Sequence, residues 1–186
     1  RNVVFAVLDM SAGNERARRT AQQISLIIGQ PLLQLFGSYT IDFASQQIHL
    51  THQSHRSGAA PNLFFNKVPY VAVTRDSLRM AMALDTGAAT SSLDNAYYKA
   101  FAADVAREGK WELAATMGIS YNSVFRMPAV ALSIGDTPFT LHRVAVTALS
   151  PHNRLTQGYG RLGIDFMRQW SSVTVDNVNM TIHLQH

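Results

Sequence analysis

The chain has 186 residues, 47% apolar and 15% charged, and no cysteine. That apolar content supports a packed core and excludes a disordered chain, while the missing thiol excludes a disulfide scaffold, a cysteine-ligated zinc site and a cysteine nucleophile. The net charge of +4 rests on scattered arginines rather than on a basic patch beside exposed aromatics, so no nucleic-acid partner is expected.

In chain order, Arg1 opens directly onto the strand-like run Val3-Val4-Phe5-Ala6-Val7-Leu8, with neither a Met nor a charged leader before it, and further chain upstream is expected. Arg16, Arg18 and Arg19 read as a solvated helix face. A short helix is predicted over 31–36, followed by strand-like segments around Tyr39-Thr40-Ile41-Asp42 and Ile48-His49-Leu50. Residues 51–66, with Ser57-Gly58-Ala59-Ala60-Pro61-Asn62, read as a linker. Strands are predicted over 68–73, 79–84, 129–134 and 139–149, bounded by turn signals such as Gly135-Asp136-Thr137-Pro138. One helix is predicted over 96–108, where Tyr97, Phe101 and Val105 recur every four residues. A second short helix is placed over 166–170, and a closing hairpin pairs 172–176 with 180–184 across Asn177-Val178-Asn179. The fold class is all-β with small helices. No apolar run approaches the ~18 residues of a membrane-spanning helix, so no span is expected.

Self-similarity organises the chain. Residues 28–50 align with 162–184 at a constant offset of 134, matching Gly29 with Gly163, Thr40 with Thr174, Asp42 with Asp176, and Ile48-His49-Leu50 with Ile182-His183-Leu184. Upstream, Val3 to Leu8 matches Val144 to Leu149 at an offset of 141. The repeat implies two related lobes: residues 1–50 as the C-terminal half of a first, 51–66 as the connector, and 67–186 as a complete second lobe.

The most informative stretch is Met82-Ala83-Leu84-Asp85-Thr86-Gly87-Ala88-Ala89-Thr90, in which an apolar strand delivers a carboxylate into a tight turn. An Asp-Thr-Gly turn can simply join two strands, and the motif takes its meaning from context. Here the chain resembles the aspartic peptidases, the retropepsin-like and pepsin-like families, in which Asp-Thr-Gly-Ala after an apolar strand is the active-site motif. Arg161-Leu162-Gly163-Ile164-Asp165-Phe166-Met167 resembles the later apolar-apolar-Gly segment that threads beneath that loop.

The resemblance implies an acid-protease fold and an aspartic endopeptidase acting on a peptide or protein substrate without metal or other cofactor. It implies Asp85 as one carboxylate of a catalytic pair, with Thr86, Gly87, Ala88, Leu162 and Gly163 supporting the loop. A flap is expected over 115–122, with Gly118, Ile119 and Tyr121 facing substrate. No second Asp-Thr-Gly occurs in the chain. On the offset of 141, the equivalent of Asp85 would fall about 56 residues before Arg1. The partner carboxylate is therefore expected from a missing first-lobe fragment or from a second copy, as in self-paired proteases. A catalytically silent peptide-binding module is the alternative, since folds outlive functions. By family habit, a periplasmic or secreted location is expected.

Weaker candidates are set aside. His52-Gln53-Ser54-His55 lacks a third ligand at zinc spacing. Ser91, Ser92 and His142 lack a nucleophile elbow. Asp42 and Asp176, at equivalent repeat positions near strand ends, are expected to be structural, and Gly158-Tyr159-Gly160 is expected to supply loop flexibility.

Overall fold

Period-two alternation of apolar side chains builds most of the molecule. In the strand Val68–Arg75 it turns Val71 and Val73 inward, and in Leu78–Leu84 it does the same for Met80 and Met82. The two strands pair antiparallel with Val71 opposite Met82 and Val73 opposite Met80, so four fully buried side chains meet on one face. The computed structural model describes residues 28–54, 58, 60–66, 68–116, 120–148 and 158–186. These form α1 (Gln30–Leu33), β1 (Ser38–Asp42), β2 (Gln47–Thr51), β3 (Leu63–Asn66), β4 (Val68–Arg75), β5 (Leu78–Leu84) and β6 (Ser92–Leu93). There follow α2 (Asn95–Ala100), α3 (Ala102–Glu108), β7 (Lys110–Thr116), β8 (Ser120–Ile134), β9 (Thr137–Thr147), β10 (Gly160–Leu162), α4 (Ile164–Met167), β11 (Ser172–Asp176) and β12 (Thr181–Gln185). The protein is all-β with small helices.

The larger sheet closes on itself. Its order β4-β5-β10-β6-β9-β8 returns to β4 through the pairing of Thr74 with Ser133, giving a six-stranded barrel with β3 added outside β4 and β7 outside β8. Closure leaves β3 and β7 as the edge strands of this sheet and encloses a core of Val71, Met82, Leu93, Leu141, Val146 and Leu162. The long strands β8 and β9 change which face they turn to the core midway: Phe125 and Met127 give way to Val130 and Leu132, and Phe139 and Leu141 to Val144 and Val146. The change falls at Pro128, which has no N–H to donate, and at Arg143, whose φ of 50° lies in the left-handed region.

Some elements differ from the sequence reading. The helix predicted over 96–108 is two helices, because Phe101 leaves helical geometry (φ −126°). The Arg75 guanidinium spans the break: it lies 4.2 Å from the Phe101 ring, donates to the Tyr97 hydroxyl of α2, and pairs with Asp104 of α3 at 2.6 Å. Leu63–Asn66, inside the stretch read as linker, is strand β3, paired with β4. Gly160 belongs to β10 itself and packs against the Ser92 backbone, a close-contact role rather than a flexible one.

The repeat has a direct structural expression in a separate four-stranded sheet, β12-β11-β1-β2. Its two inner strands, β1 and β11, are repeat equivalents and pair antiparallel with Thr40 opposite Thr174. The two hydroxyls sit 2.7 Å apart, so a pseudo-two-fold axis passes between a residue and its own repeat mate. Hydrogen bonds come in matched pairs around it: Phe43 N–H donates to Ser171 O, and Asn177 N–H to Gly37 O. The hairpin turns match too. Asp42 Oδ1 accepts the Ser45 N–H and Asp176 Oδ1 the Asn179 N–H, each at 2.8 Å, and the equivalent residues Gln46 and Met180 adopt φ of 58° and 56°. The Ser45 backbone N–H holds the Asp42 carboxyl below its ordinary range. Both aspartates thus organise turns. Gly29 and Gly163 each precede a short helix, α1 and α4.

Cover is where the copies part. Ile182 is 4% exposed, whereas its mate Ile48 is 57% exposed, and every residue of β2 faces solvent.

Candidate functional site

Asp85 leaves the barrel at the end of β5, and β10 is the strand that fixes it there. β10 runs parallel to β5 with Leu162 beside Leu84, and antiparallel to β6. The Asp85 N–H donates to Leu162 O at 2.9 Å, extending the ladder by one residue into the loop. Leu162 is fully buried, so alternation sends its neighbours Arg161 and Gly163 to the opposite side.

Gly163 is where the two chain segments touch. A Cβ there would lie 2.7 Å from Ala88 O, 2.8 Å from the Thr90 carbonyl carbon and 3.0 Å from Ser91 N, all backbone atoms of the Asp85 loop. Only a residue without a side chain lets backbone approach backbone this closely. The contact is stitched by hydrogen bonds. Ile164 N–H donates to Ala88 O at 2.9 Å, and the buried Gly163 N–H to Ser91 Oγ at 2.9 Å. Ser91 Oγ in turn donates to Asp165 Oδ1 at 2.6 Å, which also accepts the Ser91 N–H at 2.8 Å. Asp165 begins α4, where it also accepts the Phe166 N–H at 2.9 Å.

Within its own loop the carboxylate is divided in role. Oδ1 accepts the Gly87 N–H at 3.0 Å and the backbone carbonyl accepts the Ala88 N–H at 3.2 Å, a turn that holds the side chain upright. Oδ2 lies 3.5 Å from Arg161 Nη1. The two side chains keep 40% and 37% of their surface open, so this is a solvent-accessible acid. Thr86 is exposed on the rim. Ala88 is half-buried, its carbonyl accepting from the threading segment.

The structure therefore brings together Asp85, Gly87, Ala88, Leu162 and Gly163. For the flap region, β7 and β8 pair antiparallel with Ala115 opposite Tyr121, while Gly118 and Ile119 lie outside the described residues. His55 and Val3 to Leu8 lie outside them as well. His52 stacks on Phe36, ring centroids 5.2 Å apart. Among the described residues no group of three His, Asp or Glu side chains has metal-binding geometry.

The roles of three residues at the Asp85 loop escaped sequence reasoning: those of Ser91, Asp165 and Arg161. The available signal was spacing. Asp165 lies two residues after the threading glycine, and Ser91 six after the aspartate, but nothing local announces that they bond across 74 positions. No family model matches the chain, and no curated protein matches it.

Proposed function

We propose that this chain carries one half of the catalytic pair of an aspartic endopeptidase, with Asp85 as the reacting carboxylate. The observation that carries this reading is the threading of Leu162-Gly163 beneath the Asp85-Thr86-Gly87 loop, which leaves the Asp85 side chain open to solvent at the end of a barrel strand. The pseudo-two-fold at Thr40 and Thr174 supports the acid-protease fold, with residues 67–186 as a full lobe and 1–50 as the second half of another. Gly29, the mate of Gly163, marks where an equivalent aspartate loop would dock. The uncovered Ile48, against buried Ile182, is consistent with a first-lobe fragment or second copy completing that side.

In such a pair, two carboxylates face one water, and like charges that close share a single proton. The ionised oxygen takes a proton from water as its hydroxide adds to the scissile carbonyl carbon. The protonated partner hydrogen-bonds the carbonyl oxygen, which becomes a gem-diol hydroxyl. Collapse breaks the C–N bond, a proton passes to the departing amine, and no covalent acyl-enzyme forms. Hydrolysis of this kind fits a periplasmic or secreted protein.

The test is Asp85→Asn in the chain together with whatever supplies its partner, assayed on an unfolded protein substrate at acid pH with and without a statine-type inhibitor. Cleavage is expected to fall by at least about 10³-fold with thermal stability retained, on the scale of removing a general acid–base group. Wild-type cleavage by Asp85→Asn would refute the assignment. The single Asp-Thr-Gly favours one other reading, a catalytically silent peptide-binding module. It predicts peptide binding that Asp85→Asn leaves intact, and no cleavage under any condition.

A further inference from the structure

The loose ion pair between Arg161 and Asp85 bears on what the cleft selects. Arg161 sits mid-way along β10, flanked in register by Ala83 of β5 and Ser92 of β6. Directly opposite residues share a sheet face, and these two are small. The Arg161 guanidinium reaches Asp85 Oδ2 at 3.5 Å, well beyond the ~2.7–2.9 Å of a tight charge-assisted hydrogen bond. Both side chains are more than one-third exposed, and solvent screening leaves such a pair weakly held. A guanidinium has five N–H donors; among the described residues only Nη1 of Arg161 has a partner. A guanidinium fork whose other donors are unspent among the described residues, beside an acid open to solvent, matches a carboxylate in bidentate geometry.

We infer that Arg161 anchors a carboxylate of the peptide substrate next to the bond presented to Asp85, so that the site selects acidic substrates. The inference rests on the peptidase reading for the position of the substrate, but the anchor itself requires only that peptide lie across Asp85. Two sources offer this chemistry, an internal Glu or Asp side chain and a free C-terminus.

The test uses the full chain and fluorescein-labelled eight-residue peptides of Ala, Gly and Leu. One series is C-terminally amidated and carries a single Glu walked through the positions, with a matched Gln series; one all-neutral peptide is prepared with a free C-terminus. Binding is read by anisotropy in the Asp85→Asn background, which prevents cleavage and removes the competing carboxylate. At one position Glu should bind about tenfold tighter than Gln, the scale of one charge-assisted hydrogen bond. Arg161→Gln should bring that ratio to about 1. If the free C-terminus rather than Glu gives the gain, the anchor holds a terminal carboxylate. Should Arg161→Gln lose its cooperative thermal transition, Arg161→Lys carries the comparison, keeping the charge without the fork and giving a smaller preference of the same sign. Equal binding of charged and neutral peptides, a preference surviving Arg161→Gln, or no binding of any peptide overturns the inference. Cleavage by the Asp85-intact chain, together with whatever supplies the partner carboxylate, is read in parallel. A charge preference without cleavage sinks the peptidase reading alone, and cleavage indifferent to charge sinks the anchor alone.

Discussion

Gly163→Ala tests the geometry on which the site depends. The backbone at 163 (φ −96°, ψ −168°) is extended, so alanine meets no dihedral penalty and any cost comes from contact. The new methyl would stand 2.7 Å from Ala88 O and 2.8 Å from the Thr90 carbonyl carbon. Relief to ordinary contact, roughly 3.4–4 Å, needs the segments to part by most of an ångström. Neither can move freely, because hydrogen bonds at 163, 164 and 85 hold them together. Overpacking of this kind costs about 1–3 kcal/mol, and losing one buried hydrogen bond adds about 1 kcal/mol. A total near 3 kcal/mol lowers the melting temperature by roughly 6–12 °C for a chain of this size. Thermal and urea unfolding, followed by far-UV circular dichroism, measure it. Gly58→Ala, where nothing lies within 4 Å of the added methyl, serves as the neutral control. If Gly163→Ala unfolds within about 0.5 kcal/mol of that control, the range of an uninvolved surface change, the threading is not as described and the site loses its foundation.

Ser91→Ala should cost about 1–3 kcal/mol, because the buried Gly163 N–H is left without its acceptor, and urea titration reads it directly. Tyr39 is 4% exposed, and burial pushes its phenol up to about 12 from 10.0. The folded chain thus holds that proton more tightly than the unfolded one. Its stabilising contribution is complete below pH 10 and is lost as pH rises towards 12, so wild type should lose about 2 kcal/mol more than Tyr39→Phe across that window. An equal decline in the two proteins would contradict it. Thr40→Val and Thr174→Val should each destabilise by about 1 kcal/mol, while the double variant costs less than their sum, giving a coupling of roughly 0.5–1.5 kcal/mol in a double-mutant cycle.

The strands were legible because burial on one face imposes alternation, and the hairpin at 177–179 because its turn residues interrupt that pattern. The offset of 134 located Thr40 and Thr174, yet their meeting at 2.7 Å could not be read from it. A repeat fixes which residues are equivalent and leaves open whether equivalent strands pair with each other. The four-residue spacing over 96–108 is continuous and predicts a single helix. Its break at Phe101 accompanies an arginine twenty-six positions earlier that engages both halves.

Local chemistry in the sequence determined the all-β character, the doubled hairpins and the candidate acid at Asp85, since alternation, turn preference and motif each act within a few residues. Tertiary structure alone decided that β10 runs parallel to β5, that Ser91 and Asp165 bond across 74 positions, and that Arg161 comes to lie beside Asp85. Those contacts arise from barrel closure, which joins segments whose patterns carry no mark of one another.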